Sequence, residues 1–295
     1  MKDEIIRGTA LNNEVRFFAA YTKETVEEAR RIHKLTPVTT AALGRALTAA
    51  AMMGAMCKND KEVLTLILEG DGPAKRVSVT GDAKSNVKGL VYQPSVILPL
   101  KENGHLDVGK AIGHNGTLTL IRDSGMGEPY VGQTPLVSGE VAEDLTYYFA
   151  ASEQIPTSVG LGVLVGSDGE DRPVKHAGGF IIQLMPDAAD KTIDYLENSL
   201  KGISTITDYF EAGKDLDRIM VEILGPDLRI DERRPTRYHC NCSRERVTKA
   251  LIAVGKNEIE DMIKDNEPVT LHCEFCKKDY TFSIEDLKNI LHNTY

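Results

Sequence analysis

Four of the five cysteines in the sequence lie in two close pairs toward its C-terminal end. Cys240 and Cys242 are separated by one residue, and Cys273 and Cys276 follow thirty residues later with two residues between them. Zn²⁺ prefers four soft or borderline ligands at tetrahedral positions, and thiolates meet that requirement. A CxxC turn points two sulfurs at one ion, and a CxC pair does so from a more extended backbone. We therefore predict that these four cysteines, when reduced, hold one Zn²⁺ per chain.

Other uses of the residues in this region stay open. His239 and His272 each directly precede a cysteine, so an imidazole could replace one thiolate as a ligand. The cysteines could also form local disulfides without a metal, although a reducing cytosol disfavours them. Four cysteine ligands with the imidazoles nearby is the interpretation that we adopt. Cys57, at the end of a Met-rich helix, is predicted to be an inert core thiol.

The CxC pair suggests chemistry beyond a static metal site. Residues two apart in an extended chain lie near the upper distance limit for a disulfide, so a bond between Cys240 and Cys242 would be strained. Strained disulfides have high reduction potentials and tend to be labile or regulatory. Oxidation would remove the thiolate ligands, and a metal-held cluster of this kind could serve as an oxidation switch.

The segment 238–295 is too short to bury a sufficient apolar core by itself. A structural Zn²⁺ would supply folding free energy on the order of 10 kcal/mol. Within the segment, Ser243 is predicted to cap one helix. The pairs Asn257 with Glu260 and Ser283 with Asp286 have the spacing of capping boxes for two more helices. A strand-like stretch, interrupted by the CxxC, runs from Val269 to Phe282.

The remainder of the chain predicts an α+β protein, because helices and strands come in blocks rather than in strict alternation. Residues 1–186 form a mixed, sandwich-like core domain with a deeply buried helix over Thr39–Met56, and a hairpin turns about Ser167-Asp168-Gly169. Residues 187–237 form a helical linker region with modest apolar stripes and several glycines. Its charged end, 227–237, is interpreted as a solvated hinge. The small zinc-binding domain follows over 238–295.

Composition and charge restrict the function. The net charge is −9 with a pI near 5.4, which should repel nucleic acid and anionic membranes. No apolar run reaches the length of about 18 residues that a membrane span needs, and the N-terminal residues MKDEIIRGTA contain no apolar run long enough for a signal peptide. We therefore expect a cytoplasmic protein.

One alternative function is that of a zinc-ribbon nucleic-acid-binding protein. It depends on a local basic patch near the first cysteine pair: Arg233, Arg234, Arg237, Arg244, Arg246 and Lys249.

An enzymatic function finds little support in the motifs. The glycine-rich turn Glu69-Gly-Asp-Gly-Pro73 fits neither the dinucleotide nor the P-loop spacing, and Ser138 is not in a nucleophile elbow. Four thiolates leave no open position for a catalytic metal. A thiol oxidoreductase would place its CxxC between a strand and a helix, whereas this CxxC lies between strand-like segments. We therefore predict that the protein is not an enzyme.

The chain resembles the bacterial redox-regulated heat-shock holdases, the thirty-three-kilodalton chaperonins, over essentially its whole length. The cysteine motifs are the most specific feature, and the order of the domains and the mass of 32.4 kDa also agree. The segments that carry the resemblance are HCNCSRER (239–246), HCEFC (272–276), LGRALTAAAMMGAM (43–56), EGDGP (69–73), GHLDVGKAIGHNGTL (104–118), LVSGEVAEDLTYYFAASEQIPTSVGLGVLV (136–165) and GGFIIQLMP (178–186).

The resemblance implies an ATP-independent chaperone that is compact and inactive while reduced and zinc-bound. Oxidants would form two disulfides, Cys240 with Cys242 and Cys273 with Cys276, release zinc and unfold the C-terminal domain and then the linker. The active form would be a homodimer that binds unfolding client proteins, and the core domain would serve client binding and dimerisation. Apolar linker residues could contact clients: Ile193, Leu196, Tyr209, Phe210, Ile219 and Ile223.

Overall fold

The computed structural model describes residues 1–166, 172–203 and 205–294; the turn predicted at Ser167-Asp168-Gly169 lies outside them. The chain divides into two units, Met1–His239 and Cys240–Tyr295. The division into three domains stays a prediction, while the α+β class is confirmed by the mixture of sheets and helices. Among the described residues, no helix is long and apolar enough to cross a membrane.

The first unit contains eleven described strands and seven described helices. The strands are β1 (Glu4–Ala10), β2 (Val15–Tyr21), β3 (Val63–Glu69), β4 (Arg76–Asp82), β5 (Asn86–Val91), β6 (Thr117–Asp123), β7 (Tyr130–Pro135), β8 (Thr157–Val165), β9 (Val174–Leu184), β10 (Arg229–Pro235) and β11 (Arg237–Tyr238). The helices are α1 (Lys23–His33), α2 (Pro37–Gly54), α3 (Val108–Ile112), α4 (Ala142–Ala151), α5 (Asp190–Lys201), α6 (Ile206–Glu211) and α7 (Leu216–Leu224).

Two sheets organise this unit. A five-stranded sheet has the order β10-β1-β2-β9-β8, and its neighbouring strands are antiparallel. A six-stranded sheet has the order β11-β5-β4-β3-β6-β7, in which β11 pairs with β5 in parallel and the other pairs are antiparallel. The alternating pattern of VLTLILE predicts a strand with one buried face, and β3 has that pattern.

Helix α2 contacts strands of both sheets and is buried almost all round. Its small residues make this possible. At Gly44, an added Cβ would come within 2.8 Å of side-chain atoms of Val26 and Val163, so a larger residue would force its neighbours apart. The prediction of a deeply buried helix is confirmed, and the sandwich-like core consists of two sheets with this helix between them.

The opposite face of the five-stranded sheet is covered by the helices of the predicted linker region. Adjacent β2 residues alternate between two apolar clusters, with Phe18 in the cluster around α2 and Phe17 in the other. The second cluster includes Leu196 of α5, Phe210 of α6 and Ile219 of α7. The apolar stripes seen in the sequence of this region are therefore packed against the sheet.

The solvated hinge proposed for 227–237 is wrong. Residues Arg229–Pro235 form β10, an edge strand paired with β1. Its charged side chains have partners of opposite charge: Arg233 Nη1 lies 3.1 Å from Glu4 Oε1, and Glu232 Oε2 lies 2.7 Å from Arg7 Nε. Charge alone suggested a loop, but these pairings with β1 make a polar strand suitable for a sheet edge.

The second unit contains α8 (Arg244–Ile252), α9 (Lys256–Lys264), β12 (Val269–His272), β13 (Asp279–Phe282) and α10 (Ile284–Thr294). Ser243 caps α8 as predicted, and Ser283 with Asp286 forms the predicted capping box. The capping box predicted at Asn257 and Glu260 is wrong. Helix α9 begins after Gly255 and has no side-chain cap. The φ of 105° at Gly255 is a backbone conformation that favours glycine.

Candidate metal centre

The second cysteine pair lies in the tight turn of the β12–β13 hairpin. The backbone amide of Cys273 donates to the carbonyl of Lys278 at 2.9 Å, and the amide of Lys277 donates back to the carbonyl of Cys273 at 2.7 Å. Lys277 closes the turn with a left-handed φ of 56°. The chain therefore folds back on itself over four residues, and Cys273 and Cys276 come to the same place.

The first cysteine pair enters the site directly before a helix. Cys242 precedes Ser243, whose hydroxyl accepts a hydrogen bond from the amide of Arg246 at 3.3 Å and so begins α8. The positive end of a helix dipole stabilises nearby negative charge. Negative charge on the sulfur of Cys242 is therefore favoured by its position as well as by its contacts.

The four sulfurs form one compact group. Cys240 Sγ lies 3.6 Å from Cys273 Sγ, and Cys242 Sγ lies 3.3 Å from Cys276 Sγ. All four lie within 4.8 Å of one another. Tetrahedral Zn–S bonds of about 2.3 Å would separate neighbouring sulfurs by roughly 3.8 Å, so the spacing suits such an ion. All five cysteines of the chain are free thiols. The predicted ligands are brought together in a group that could hold a metal ion.

The thiols differ in acidity. Burial raises the pKa of Cys240, and it also raises the pKa of Cys276. Burial opposes ionisation of Cys242 as well, but hydrogen bonds from Tyr280 and the other cysteines outweigh it and lower the pKa of Cys242 to about 7. Without a metal, the sulfur of Cys242 therefore ionises more readily than those of Cys240 and Cys276, and thiolates are the form that binds metal and reacts with oxidants.

The histidines are not part of the sulfur group. The His272 ring contacts the Asp279 carboxylate across the hairpin. His239 ends the first unit, where its backbone amide donates to the Val87 carbonyl at 2.7 Å. Within the described part of the chain, the metal-ligand group around this site consists of the four cysteines. The arrangement favours four sulfurs over a mixed set of sulfur and imidazole, and the ligand assignment itself stays a prediction.

Cys57 lies outside the sulfur group, in the first unit. Burial raises the pKa of Cys57 to about 12, and its sulfur lies 3.8 Å from the Met53 carbonyl, so it stays a protonated thiol at neutral pH.

Tyr280 contacts the sulfur group, which the sequence analysis does not predict. Its hydroxyl lies 3.1 Å from Cys242 Sγ. The alternation of Asp-Tyr-Thr-Phe in β13 could have indicated that Tyr280 and Phe282 share a buried face, which the structure shows.

The fold and the sulfur group together define an α+β protein with a large apolar core and a separate, cysteine-rich unit. The sequence matches the family described as Hsp33 protein over residues 3–283. It is 49% identical over 292 residues to the 33 kDa chaperonin of Lachnoclostridium phytofermentans, across 99% of each chain. The 33 kDa chaperonin of Agathobacter rectalis is also 49% identical, across 98% of this chain and 100% of the relative.

A solved structure agrees with these matches. The crystal structure of the 33 kDa chaperonin from Thermotoga maritima matches with a TM-score of 0.90 at 40% identity and covers 99% of both chains. The chain therefore belongs to the Hsp33 family. These relatives are named chaperonins, which fits a chaperone rather than an enzyme. The family identified from the sequence motifs is confirmed.

Proposed function

We propose that this protein is a redox-regulated, ATP-independent holdase that binds unfolding proteins and prevents their aggregation. The observation that carries the proposal is the group of four free sulfurs within 4.8 Å of one another. These sulfurs lie in a unit whose apolar core is small. A reduced cluster would keep that unit folded, and oxidation of the same atoms would unfold it.

The proposed ligands for one Zn²⁺ are Cys240, Cys242, Cys273 and Cys276. When bound, the ion supplies folding free energy on the order of 10 kcal/mol to a unit of this size. The apolar cluster described in this unit has five buried members, Leu251, Ile259, Tyr280, Phe282 and Leu287, and the hydrophobic side chains packed against them are only partly buried. Such a core is too small to stabilise the unit alone, so its folding depends on the sulfurs remaining reduced.

Oxidation would join the cysteines that are close in sequence, Cys240 with Cys242 and Cys273 with Cys276. In each pair the two thiolates would lose two electrons to one hydrogen peroxide, which takes up two protons from the solvent and leaves as two waters. In the reduced arrangement, close sulfur contacts join residues 33 and 34 positions apart. Disulfides across those contacts would close long loops and stabilise the unit, whereas local disulfides constrain little. The local pairing therefore permits unfolding.

Unfolding of the second unit would destabilise the end of the first unit, because the two are continuous in the chain. Strand β11 ends at Tyr238, two residues before Cys240, and β10 precedes it. Helices α5, α6 and α7 have 12, 6 and 9 residues and depend on packing against the five-stranded sheet, since helices this short are marginal in isolation. Their release would expose apolar surface on which client proteins bind. We propose that the active form is a cytoplasmic homodimer.

The nucleic-acid alternative gains nothing from the geometry. Arg234 Nη2 lies 2.5 Å from Glu232 Oε1, and Arg244 Nη2 lies 3.0 Å from Asp286 Oδ2. Arg233 contacts both Glu4 and Asp217. Ion pairing of these arginines reduces the positive charge that phosphate groups would meet.

The proposal is tested with the reduced, zinc-loaded, full-length protein treated with hydrogen peroxide and mild heat. We expect release of about one zinc per chain, followed with a colorimetric chelator, together with reduced light scattering by a thermally unfolding client. Reduction in the presence of zinc should reverse both changes. The Cys57→Ser variant serves as the control and should behave like the parent protein. Loss of zinc with no gain in client protection would refute the holdase assignment.

A further inference from the structure

Tyr280 lies at the junction of the sulfur group and the apolar core of the second unit. Its hydroxyl is 3.1 Å from Cys242 Sγ, and the residue is 7% exposed. Strand β13 places Tyr280 and Phe282 on its buried face and pairs Tyr280 with Leu271 of β12. The ring belongs to the apolar cluster of the unit. The hairpin and the core therefore fix the hydroxyl independently of the sulfur that it contacts.

The direction of this hydrogen bond follows from the charge on the sulfur. Between a thiol and a phenol, either group can donate. A thiolate that serves as a metal ligand carries no hydrogen, so the Tyr280 hydroxyl has to donate to Cys242 Sγ. Hydrogen bonds from groups around a metal site orient its ligands and tune the electron density that they offer. A donor at Cys242 therefore holds that sulfur in place and makes its lone pairs less available to an oxidant.

Other sulfurs of the group receive hydrogen bonds of a different kind. Cys240 Sγ accepts from the backbone amide of Cys242, and Cys276 Sγ accepts from the backbone amide of Lys278. Those donors belong to the turns themselves and stay with any side chain. The donor to Cys242 is a side chain, so its strength depends on which residue occupies position 280. A substitution there changes the sulfur without removing a ligand or altering a turn.

We propose that Tyr280 is a positioning residue for the sulfur group and that its hydroxyl sets how readily the cluster is oxidised. This inference rests on the proposed metal-binding and redox function of the four cysteines. The hydroxyl anchors Cys242 in the orientation needed for metal binding and lowers its reactivity toward peroxide. A protein without this donor would lose its metal at a lower concentration of oxidant.

The test compares zinc-loaded, full-length Tyr280→Phe with the parent protein. The ring and its packing are kept, and the donor is lost. We expect an affinity for zinc, measured by chelator competition, that is about 10-fold weaker, at the lower end of the loss seen when such partners are removed. Zinc release in peroxide should be several-fold faster. In the cobalt-substituted protein, the sulfur-to-metal charge-transfer band should move to longer wavelength, because the sulfur lone pairs rise in energy.

The matched control is Thr270→Val on the same hairpin. It removes the Thr270 hydroxyl, which lies 3.0 Å from the Thr281 hydroxyl, and leaves the sulfurs untouched. This variant should match the parent in zinc affinity, release rate and cobalt spectrum. Unchanged release and an unmoved cobalt band in Tyr280→Phe would overturn the proposal. Equal changes in both variants would overturn it too, because they would indicate general loosening of the hairpin.

A second variant covers the case in which Tyr280→Phe does not fold. Site-specific 3-fluorotyrosine at position 280 keeps the hydroxyl and makes it a stronger donor, so zinc release in peroxide should become slower than in the parent. Faster or unchanged release would contradict the proposal. None of these measurements uses a client protein. A failure of holdase activity would therefore bear on the proposed function, whereas failure of the cobalt and release measurements would bear on Tyr280.

Discussion

The two units of this chain differ in what can hold them together. In Met1–His239, helix α2 is enclosed by two sheets, and buried aliphatic side chains form an extensive cluster around it. In Cys240–Tyr295, the apolar cluster is small, and the four cysteines beside it are only partly buried. Apolar burial is roughly proportional to the area removed from water, so it can stabilise the first unit and falls short for the second.

This difference explains why the smaller unit would be the one that responds to an oxidant. The hydrocarbon side chains of the first core are not attacked by an oxidant of moderate strength, and the thioethers of Met52 and Met53 in α2 are fully buried, so the stability of this core depends little on the redox state of the surroundings. A sulfur cluster converts oxidation of a few atoms into loss of folding free energy. The first unit also carries α5, α6 and α7 on one sheet face, where their apolar side chains stay covered while the fold is intact.

Removal of one sulfur should have the largest effect. Cys276→Ser replaces a thiolate by a hydroxyl, which is a poor zinc ligand, so we expect zinc content to fall steeply and the second unit to unfold. Hydrogen exchange should show lost protection in β12 and β13, while β3 and β4 beside α2 stay protected. Cys57→Ser is the control and should retain zinc. Persisting protection of β12 and β13 in metal-free Cys276→Ser would contradict this difference between the units, because the second unit would then fold without its full ligand set.

A core substitution in the first unit tests whether that unit is stabilised by apolar burial and not by the metal. Leu47 in α2 is fully buried, and Leu47→Ala should lower the free energy of unfolding of that unit by about 2–5 kcal/mol. Zinc retention against a chelator should stay unchanged. Leu100→Ala makes the same change at a residue that is 58% exposed and should cost far less. Urea unfolding followed by circular dichroism measures both. Zinc loss in Leu47→Ala would show that the two units do not have separate sources of stability.

Acid should weaken the first unit through Glu140. Its carboxylate lies 2.5 Å from Arg45 Nη1 and 3.0 Å from the amide of Gly109, and it contacts Lys101. Burial opposes ionisation, but Arg45 and Lys101 outweigh it and hold the pKa of Glu140 below its ordinary value of 4.5. A lowered pKa in the folded state adds stability above the unfolded value, and that stability is lost as the pH falls through the folded value.

Glu140→Gln should therefore cost about 1–3 kcal/mol near neutral pH, because a charge-assisted network loses its anion. The difference from the parent protein should shrink as the pH falls below 4.5, the ordinary value for this carboxyl. Urea unfolding at a series of pH values measures it, and Glu143→Gln, at an exposed neighbouring position, is the control. A difference that stays constant with pH would mean that the ionised carboxylate does not contribute.

The sequence was sufficient where the signal is local. Cysteine type and spacing predicted the sulfur group, alternation predicted β3, and a run of small residues predicted the buried α2. Strand β10 could not be recognised in this way. Its apolar periodicity is replaced by charges whose partners, Glu4 and Arg7, lie more than two hundred residues earlier. Only the folded sheet brings those charges together, so the sequence of β10 by itself resembles that of a solvated hinge.

The contact of Tyr280 was hidden for a related reason. The alternation of β13 indicates that Tyr280 is buried, but its distance from Cys242 depends on the β12–β13 register and on where α8 begins. Helix α9 shows the limit of motif matching: Asn257 and Glu260 have capping-box spacing, yet the helix starts at Lys256, after a glycine with φ of 105°. A local motif shows where a helix could begin, and the actual first residue also depends on the packing of the folded chain.

The smallest effect should come from the turn that holds the second cysteine pair. Lys277 has a left-handed φ of 56°, which costs a residue with a Cβ about 1 kcal/mol and costs glycine nothing. Lys277→Gly removes this strain but adds freedom to the unfolded chain, so the zinc-bound second unit should gain less than about 1 kcal/mol. Its zinc should also leave slightly more slowly. The control, Lys264→Gly at the end of helix α9, should destabilise the same unit, and chemical denaturation compares them. If Lys277→Gly destabilises as much as the control, the turn does not depend on left-handed backbone, and the sulfurs are held by the metal rather than by a preformed loop.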